Sequence, residues 1–404
     1  MNRSLAALCA LTFFMADVID GLGPFLGVFL QAQGWTPAEI GVAMTAGGLA
    51  GVAATTPFGM LVDKTRYKRA LVIGAALVVV AASMAILFSP NLTGTVAAQI
   101  ANGAVAAVIP PTIAAITLGL VLQKGFPHQL GRNEAFNHAG NVVAALLAGG
   151  LGYLFGIGAV FVVMAAMAGA AIAATLFIDP KRIDHRAARG LSEQGGTPGK
   201  GLSILVQSAP LAILAATLAL FHLGNAAMLP LLGQALVARG AGDPSAFTGA
   251  TVIVAQLTMI PMALLAAWLA ARRGYWIVLL MALIALPIRG AIAAWLTHPA
   301  GLVPVQMLDG VGAGLLGVAV PGLVARILAG TGHINAGLGV VITLQGIGAA
   351  LSPTLGGFVA QRFGYSASFA VLGLVAVAAL ALWVLTRPLT AEACGVPARV
   401  VPAG

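Results

Sequence analysis

The chain has 404 residues, of which 60% are hydrophobic and only 8% charged, with a mean hydropathy of +1.02. Soluble globular domains carry about 25% charged residues, so there are too few charges here to cover the surface of one. The net charge of +9 sits in short gaps between apolar runs rather than in one stripe, which argues against nucleic acid as a partner. Strand alternation is absent, which argues against an outer-membrane barrel. Two cysteines, Cys9 and Cys394, are too few for a disulfide framework or a zinc site.

The apolar runs reach the length of about 20 residues that crosses ~30 Å of hydrocarbon as a helix. Arg3 followed by Leu5 to Met15 resembles a signal peptide. Apolar residues resume after Asp20 and continue to Leu30, so the segment reads as an uncleaved first span. Spans are predicted near 5–31, 38–62, 69–89, 92–122, 131–157 and 158–178. A second set is predicted near 204–238, 244–271, 275–297, 299–329, 334–361 and 365–386. The expected organisation is an N-terminal six-helix bundle (1–178), a cytoplasmic linker (179–203), a C-terminal six-helix bundle (204–386) and a cytoplasmic tail (387–404), which is expected to be disordered. Fifty-two glycines suit helices whose backbones approach closely in lipid.

With the N-terminus inside, nearly every basic residue falls in a cytoplasmic loop, among them Lys64, Arg66, Lys124, Arg132, Arg182 and Arg272. Only Arg239 and Arg362 fall outside, and Arg289 lies within a span. That asymmetry sets the orientation and implies a multi-pass protein of the inner membrane with both termini cytoplasmic. Trp35, Trp268, Trp276, Trp295 and Trp383 all lie near predicted span ends, as in an aromatic belt.

Sliding the chain against itself brings Phe14 onto Phe221, Gln99 onto Gln306, and Gly149-Gly150 onto Gly356-Gly357 at one fixed offset. At the same offset Asn102-Gly103 meets Asp309-Gly310, so the fourth span of each half carries Gln-x-x-(Asn/Asp)-Gly. Two parallel repeats joined by a linker suggest halves that rock about a central site.

Between the second and third spans stands Gly59-Met-Leu-Val-Asp63-Lys64-Thr-Arg66-Tyr-Lys68-Arg69. It resembles the signature loop of the major facilitator superfamily: a glycine and an aspartate four apart, then a basic cluster. Arg66 stands where the family usually has a second glycine, and Tyr67 where a basic residue is common. The resemblance implies an all-α membrane protein of twelve helices in two pseudo-symmetric six-helix bundles. It further implies that Asp63, with Gly59, Lys64 and Arg66, latches a cytoplasmic gate. The alternative is a solvated, positively charged loop. In span eleven, Gly348-x-x-x-Ser352-Pro353-x-x-Gly356-Gly357 is similar to the motif that antiporters of the family carry in span five. Here span five has Asn141, Ala145, Leu146, Gly149 and Gly150 instead, without the proline. Ordinary tight packing or a kink would also use such residues.

An ionisable residue at bilayer depth is costly unless paired or hydrated, so each is a functional candidate. Asp17 and Asp20 share a face of span one, just before a break expected at Gly21, Gly23 and Pro24. Asp309 lies mid-span in helix ten. His222 and Asn225 share a face of span seven, as His138 and Asn141 do in span five. The resemblance implies that spans one, four, seven and ten line a central cavity, helped by five. A carboxylate stripped of water in a closing cavity takes up a proton, so Asp17, then Asp309 and Asp20, are the candidates for proton coupling. Gln99, Asn102, His138, Asn141, His222, Asn225 and Gln306 are candidate substrate contacts, with interhelical hydrogen bonding the competing role for each. Arg289 is expected to snorkel toward the outer surface. Arg132 and Glu134 open span five as a helix start or a gate pair.

The expected function is secondary active transport of a small molecule by alternating access, coupled to protons, by a monomer in a lipid bilayer. Export is favoured by the displaced antiporter-like motif and a small, weakly polar cavity; a proton-coupled importer of a small metabolite is the rival. A sugar is disfavoured because the tryptophans are assigned to the belt. An organic anion would want arginine in the cavity and none is placed there, so cationic or neutral substrates are favoured. From a different class, Asp17, Asp20 and His222 could form an intramembrane hydrolytic centre. The chain lacks a metal-type His-Glu-x-x-His run, and a two-half repeat serves no purpose in an enzyme. No enzyme activity and no cofactor are therefore expected.

Overall fold

The computed structural model describes residues 3–189, 208–240, 242–295, 301–329 and 334–395. Among these, twelve helices are long and apolar enough to cross a membrane: α1 (Arg3–Ala32), α2 (Pro37–Lys64), α3 (Lys68–Phe88), α4 (Leu92–Leu122), α5 (Lys124–Phe155), α6 (Ala159–Leu176), α7 (Ala209–Arg239), α8 (Pro244–Arg273), α9 (Tyr275–Trp295), α10 (Leu302–Ile327), α11 (Gly337–Phe363) and α12 (Tyr365–Leu385). They match the predicted spans in number and order. The largest boundary difference is at α5, which begins a helical turn or two earlier than read. The predicted start of span seven and most of the linker lie outside the described residues.

Local chemistry sets several of the helix ends. Thr36 and Glu39 form a reciprocal capping box before Pro37: the Thr36 N–H donates to Glu39 Oε2 at 2.9 Å and the Glu39 N–H donates to Thr36 Oγ1 at 3.3 Å. Asn91 caps α4, its Oδ1 accepting the Gly94 N–H at 2.8 Å. Inside α4 the helix loosens after Ala106 and resumes at Ile109, next to Pro110 and Pro111. Neither proline can donate to the preceding turn. The backbone stays nearly continuous from α4 into α5, and the direction changes at Leu122, whose φ of 58° and ψ of 180° are non-helical. A positive φ is rare for leucine, and it marks the joint between two spans.

Two expectations are corrected here. The segment Arg387–Cys394 is a helix, α13, with Thr390 and Cys394 buried. It packs on α7, α9 and α10, because an apolar contact surface is available to it beyond the last span. Burial there also pushes the Cys394 thiol up to about 12. Trp383 is not a belt residue. It is fully buried, and its Nε1–H donates to the Trp276 carbonyl at 3.4 Å. Trp268 and Trp295 are exposed as a belt requires, and the guanidinium of Arg272 stacks 4.5 Å from the Trp268 ring centre.

The chain divides into two compact units. Unit 1 holds Met1–Gly195 together with Leu229–Ile253 and Pro353–Gln361; unit 2 holds Gly196–Met228, Val254–Ser352 and Arg362–Gly404. Helices α7, α8 and α11 therefore each contribute to both. Glycines set the helix crossings in unit 1. A Cβ on Gly103 of α4 would run into the carbonyl oxygen of Gly47 of α2, and one on Gly140 of α5 into that of Phe13 of α1. Backbones in contact at this distance gain packing that larger residues would deny them. The α11 segment of unit 1 is seated on α2 in the same way. Gly41 faces the Pro353 carbonyl, Gly357 faces the Pro37 carbonyl, and Thr354 Oγ1 donates to Thr45 Oγ1 at 2.8 Å. In unit 2, Gly290 of α9 lies against Gly373 of α12, and Gly310 of α10 lies against the backbone of Ala255 in α8.

Candidate functional site

In α1 the regular helix gives way at Asp17–Gly21 to one π-helical turn and resumes at Leu22. The break expected at Gly21, Gly23 and Pro24 thus begins one turn earlier, and it centres on the candidate acids themselves. Such widened turns recur at functional positions. The Asp17 side chain is 2% exposed and its Oδ2 has no hydrogen-bond partner among the described residues. Its carboxylate folds back over Gly21, where any side chain would collide with Oδ1. An unsatisfied buried carboxylate asks for an explanation, and in a membrane span a functional one comes first. The side chain of Asp20 lies outside the described residues.

Beside this turn, unit 1 has a partly open cavity of about 240 Å³. Its apolar wall includes Val18, Leu22 and Met164, and its polar patch is Ser83, Gln99 and Asn102. Asn102 Nδ2 donates to Ser83 Oγ at 3.3 Å and to Gln99 Oε1 at 3.5 Å, which leaves its Oδ1 buried without a described partner. On α5, Asn141 Nδ2 donates to Asn137 Oδ1 at 3.0 Å, and His138 is half-buried. A network that the sequence reading missed lies nearby. Gln129 Nε2 donates to Asn133 Oδ1 at 2.9 Å and to Cys9 Sγ at 3.3 Å, and Asn133 Nδ2 donates to Thr117 Oγ1 at 2.9 Å. It ties α1, α4 and α5 together. Two amides four residues apart were the available signal.

Unit 2 holds a charged polar cluster. Arg289 of α9 is 1% exposed and does not snorkel, which corrects the expectation drawn from its position in the sequence. Its Nη1 makes an ion pair with Asp309 Oδ1 at 2.8 Å and donates to Asn225 Oδ1 at 2.5 Å, and its Nη2 donates to Gln306 Oε1 at 3.1 Å. Asn225 Nδ2 in turn donates to Asp309 Oδ1 at 3.2 Å. Four side chains from α7, α9 and α10 thus bond one another, while Arg289 Nε and Gln306 Nε2 are buried without a described partner. The cost of a lone charge at this depth explains why: arginine finds a carboxylate closer than it finds water. His222 lies one turn from Asn225 but uses its Nδ1–H on its own helix, donating to the Leu218 carbonyl at 2.9 Å.

The loop residues singled out for a gate are mostly exposed. Gly59 has open space around it, and Asp63 pairs with no described residue. Lys64 and Arg66 are exposed, and Arg66 borders a groove of about 280 Å³ with Tyr67, Arg69 and His185. Two members of the basic cluster serve helix ends instead. Lys68 is buried and its ammonium donates to the carbonyls of Val62 and Thr65 at 2.8 and 3.1 Å. Arg69 donates to the carbonyls of Thr175 and Leu176 at 3.0 and 2.9 Å. Cations at helix C-termini satisfy orphan carbonyls and the dipole together. The α11 motif also acts locally: Ser352 Oγ accepts the Ala227 N–H at 2.9 Å, while its proline and glycine form the α2 seat described above.

The sequence profile of the Major Facilitator Superfamily matches residues 6–303 and 214–400. An MFS-type transporter of Mycobacterium tuberculosis, found in strains H37Rv and CDC 1551, is 40% identical over 394 residues, covering 96% of this chain and 94% of the relative. Among solved structures, the nucleoside transporter NupG superposes with a TM-score of 0.79 at 14% identity, covering 95% of this chain and 99% of that one. A point mutant of NupG gives 0.80, again at 14% identity, with 94% and 99% covered.

Proposed function

Since the chain belongs to the major facilitator superfamily, we propose that it moves a small molecule across the inner membrane by alternating access, coupled to protons through Asp17, with export as its direction. The observation that carries the coupling is the Asp17 side chain, buried at a π-helical turn with one oxygen unpartnered among the described residues. Keeping an isolated carboxylate charged in an apolar interior is costly, so it is neutralised there and recharged when water returns. A side chain that alternates in this way carries one proton per passage. The flexible turn beneath it and the cavity flanked by Val18 and Leu22 supply the motion and the water.

The seat of α11 on α2 supports alternating access. By the distribution of basic residues, the contacts of Gly41, Thr45 and Gly357 lie at the outward end of their helices. Closely fitted glycines make a seam that closes tightly and parts without breaking ion pairs. At the opposite end, Asp63 with Gly59, Lys64 and Arg66 is the proposed latch for the closed inward end. Gln99 and Asn102 in unit 1, with Asn225 and Gln306 in unit 2, are the proposed polar contacts for substrate. Export remains the favoured direction because of the antiporter-like sequence in α11.

The test uses purified protein in liposomes loaded with a pH-sensitive dye, challenged with cationic, neutral and anionic small molecules. Wild type is expected to move protons with one compound class, and Asp17→Asn to bind that class without moving protons. If Asp17→Asn moves protons like wild type, Asp17 is structural and the coupling assignment is wrong.

A further inference from the structure

The geometry points to Arg289 as a positioning residue for substrate selection: it holds Asp309 so that one carboxylate oxygen alone remains open, and the pair selects an uncharged hydrogen-bond-donating group, such as a hydroxyl or an amide. This inference deepens the transport reading above and rests on it.

Every described contact to the Asp309 carboxylate lands on the same oxygen, Oδ1: Arg289 Nη1 at 2.8 Å and Asn225 Nδ2 at 3.2 Å. Asp309 keeps 18% of its side chain exposed while Arg289 keeps 1%, so Oδ2 is the open face of the cluster. The amide orientations are forced. A guanidinium only donates and a carboxylate only accepts, so Asn225 must turn its oxygen to Arg289 and its nitrogen to Asp309. Gln306 must likewise turn Oε1 to Arg289, which leaves its buried Nε2 pointing elsewhere with no described partner. The backbone beneath is closely seated as well: Gly310 sits against the Ala255 carbonyl and Thr258 of α8 with no room for a side chain, which bars α10 from moving further toward α8.

Three ligand classes meet this site differently. An anion reaches the carboxylate before the guanidinium, which is buried and has both Nη groups engaged. A cation gives up its hydration for a carboxylate already neutralised 2.8 Å away, and the remaining attraction is that of a dipole. An uncharged donor forms a charge-assisted hydrogen bond with Oδ2 and has little charge to desolvate. A site built to hydrogen-bond a donor also rejects analogues that lack it. Asp309 read alone favours cations; Arg289 removes that preference.

The test is equilibrium binding to purified protein with three radiolabelled probe sets: uridine, adenosine, inositol and glucose as neutral donors, tetraethylammonium and ethidium as cations, benzoate and lactate as anions. The expected tightest ligand of wild type is a neutral donor, weakened about 10- to 100-fold in Asp309→Asn, the range for one hydrogen bond to a charged group. Arg289→Gln leaves the carboxylate bare, so the cation-to-neutral affinity ratio rises by about tenfold or more; a purely structural arginine would lower both affinities alike. The double variant Arg289→Gln/Asp309→Asn restores a neutral cluster, and it is expected to fold where a single variant does not. It is expected to lose both preferences. A cation or anion as tightest ligand, no binding of any neutral probe, or an unchanged ratio in Arg289→Gln overturns the inference. Donor binding that depends on Asp309, together with proton movement indifferent to Asp17→Asn, would sink the coupling assignment and leave this one standing.

Discussion

Helices α4 and α10 carry one short signature in two versions, Gln99-x-x-Asn102-Gly103 and Gln306-x-x-Asp309-Gly310. Both glycines seat their helix on a neighbour, Gly103 on α2 and Gly310 on α8. Both polar heads reach sideways to the helix that precedes them, Asn102 to Ser83 of α3 and Asp309 to Arg289 of α9. The glutamine joins the network each time, as acceptor from Asn102 in one copy and from Arg289 in the other. The scaffold is shared and the charge is not. One copy is a neutral patch on a cavity wall; the other is an ion pair that must be complete to be tolerated. A repeat can therefore hold its helix seats fixed while the side chains above them diverge into separate chemical roles.

The largest effect is expected from breaking the charged copy. Asp309→Asn leaves Arg289 buried without its counter-charge and should cost about 3–5 kcal/mol, measured as the unfolding free energy in mixed micelles titrated with SDS. Adding Arg289→Gln to that variant should recover all but about 1 kcal/mol, since the cluster is then neutral like its counterpart in α4. Next comes the glutamine. Gln306→Ala removes an acceptor from a guanidinium and should cost about 1.5–3 kcal/mol, against about 0.5–1 kcal/mol for Gln99→Ala in the same assay. Equal losses in the two would show that charge is not what separates the copies. The glycine seats should respond alike, Gly103→Val and Gly310→Val each losing about 1–3 kcal/mol through overpacking. A cost confined to one of them would mean the scaffold has diverged too. Smallest is Asn102→Ala, which gives up weak neutral hydrogen bonds for about 1 kcal/mol or less. A loss as large as that of Asp309→Asn would break the comparison outright.

Much of this was legible without the structure, for a definite reason. Hydrocarbon imposes a length and an apolar composition on each crossing helix, and those are one-dimensional properties. Hence the twelve spans and the repeat signature could both be read from the chain. The break in α1 was legible as Gly21, Gly23 and Pro24, though its placement at Asp17 was not. Burial was the blind spot. Arg289 and Trp383 both lie where a charge can snorkel or an aromatic can join a belt, and both face protein instead, because neighbouring helices offer partners there. Lys68 and Arg69 read as part of a charged loop, yet they close the C-terminal ends of α2 and α6. Arg387–Cys394 has no membrane-length run, and it is helical because α7, α9 and α10 offer it a surface.

The sequence by itself determined the membrane class, the number and order of the helices, the family loop at Gly59–Arg69 and the positions at which polar groups enter the spans. Each of these follows from composition and spacing along one chain. The tertiary structure alone decided which polar groups are compensated. It gives Asp309 an arginine from a helix twenty residues away and leaves Asp17 Oδ2 without a described partner. In a low-dielectric interior the cost of a charge depends on what stands a few ångströms from it, and that distance is set by helix packing.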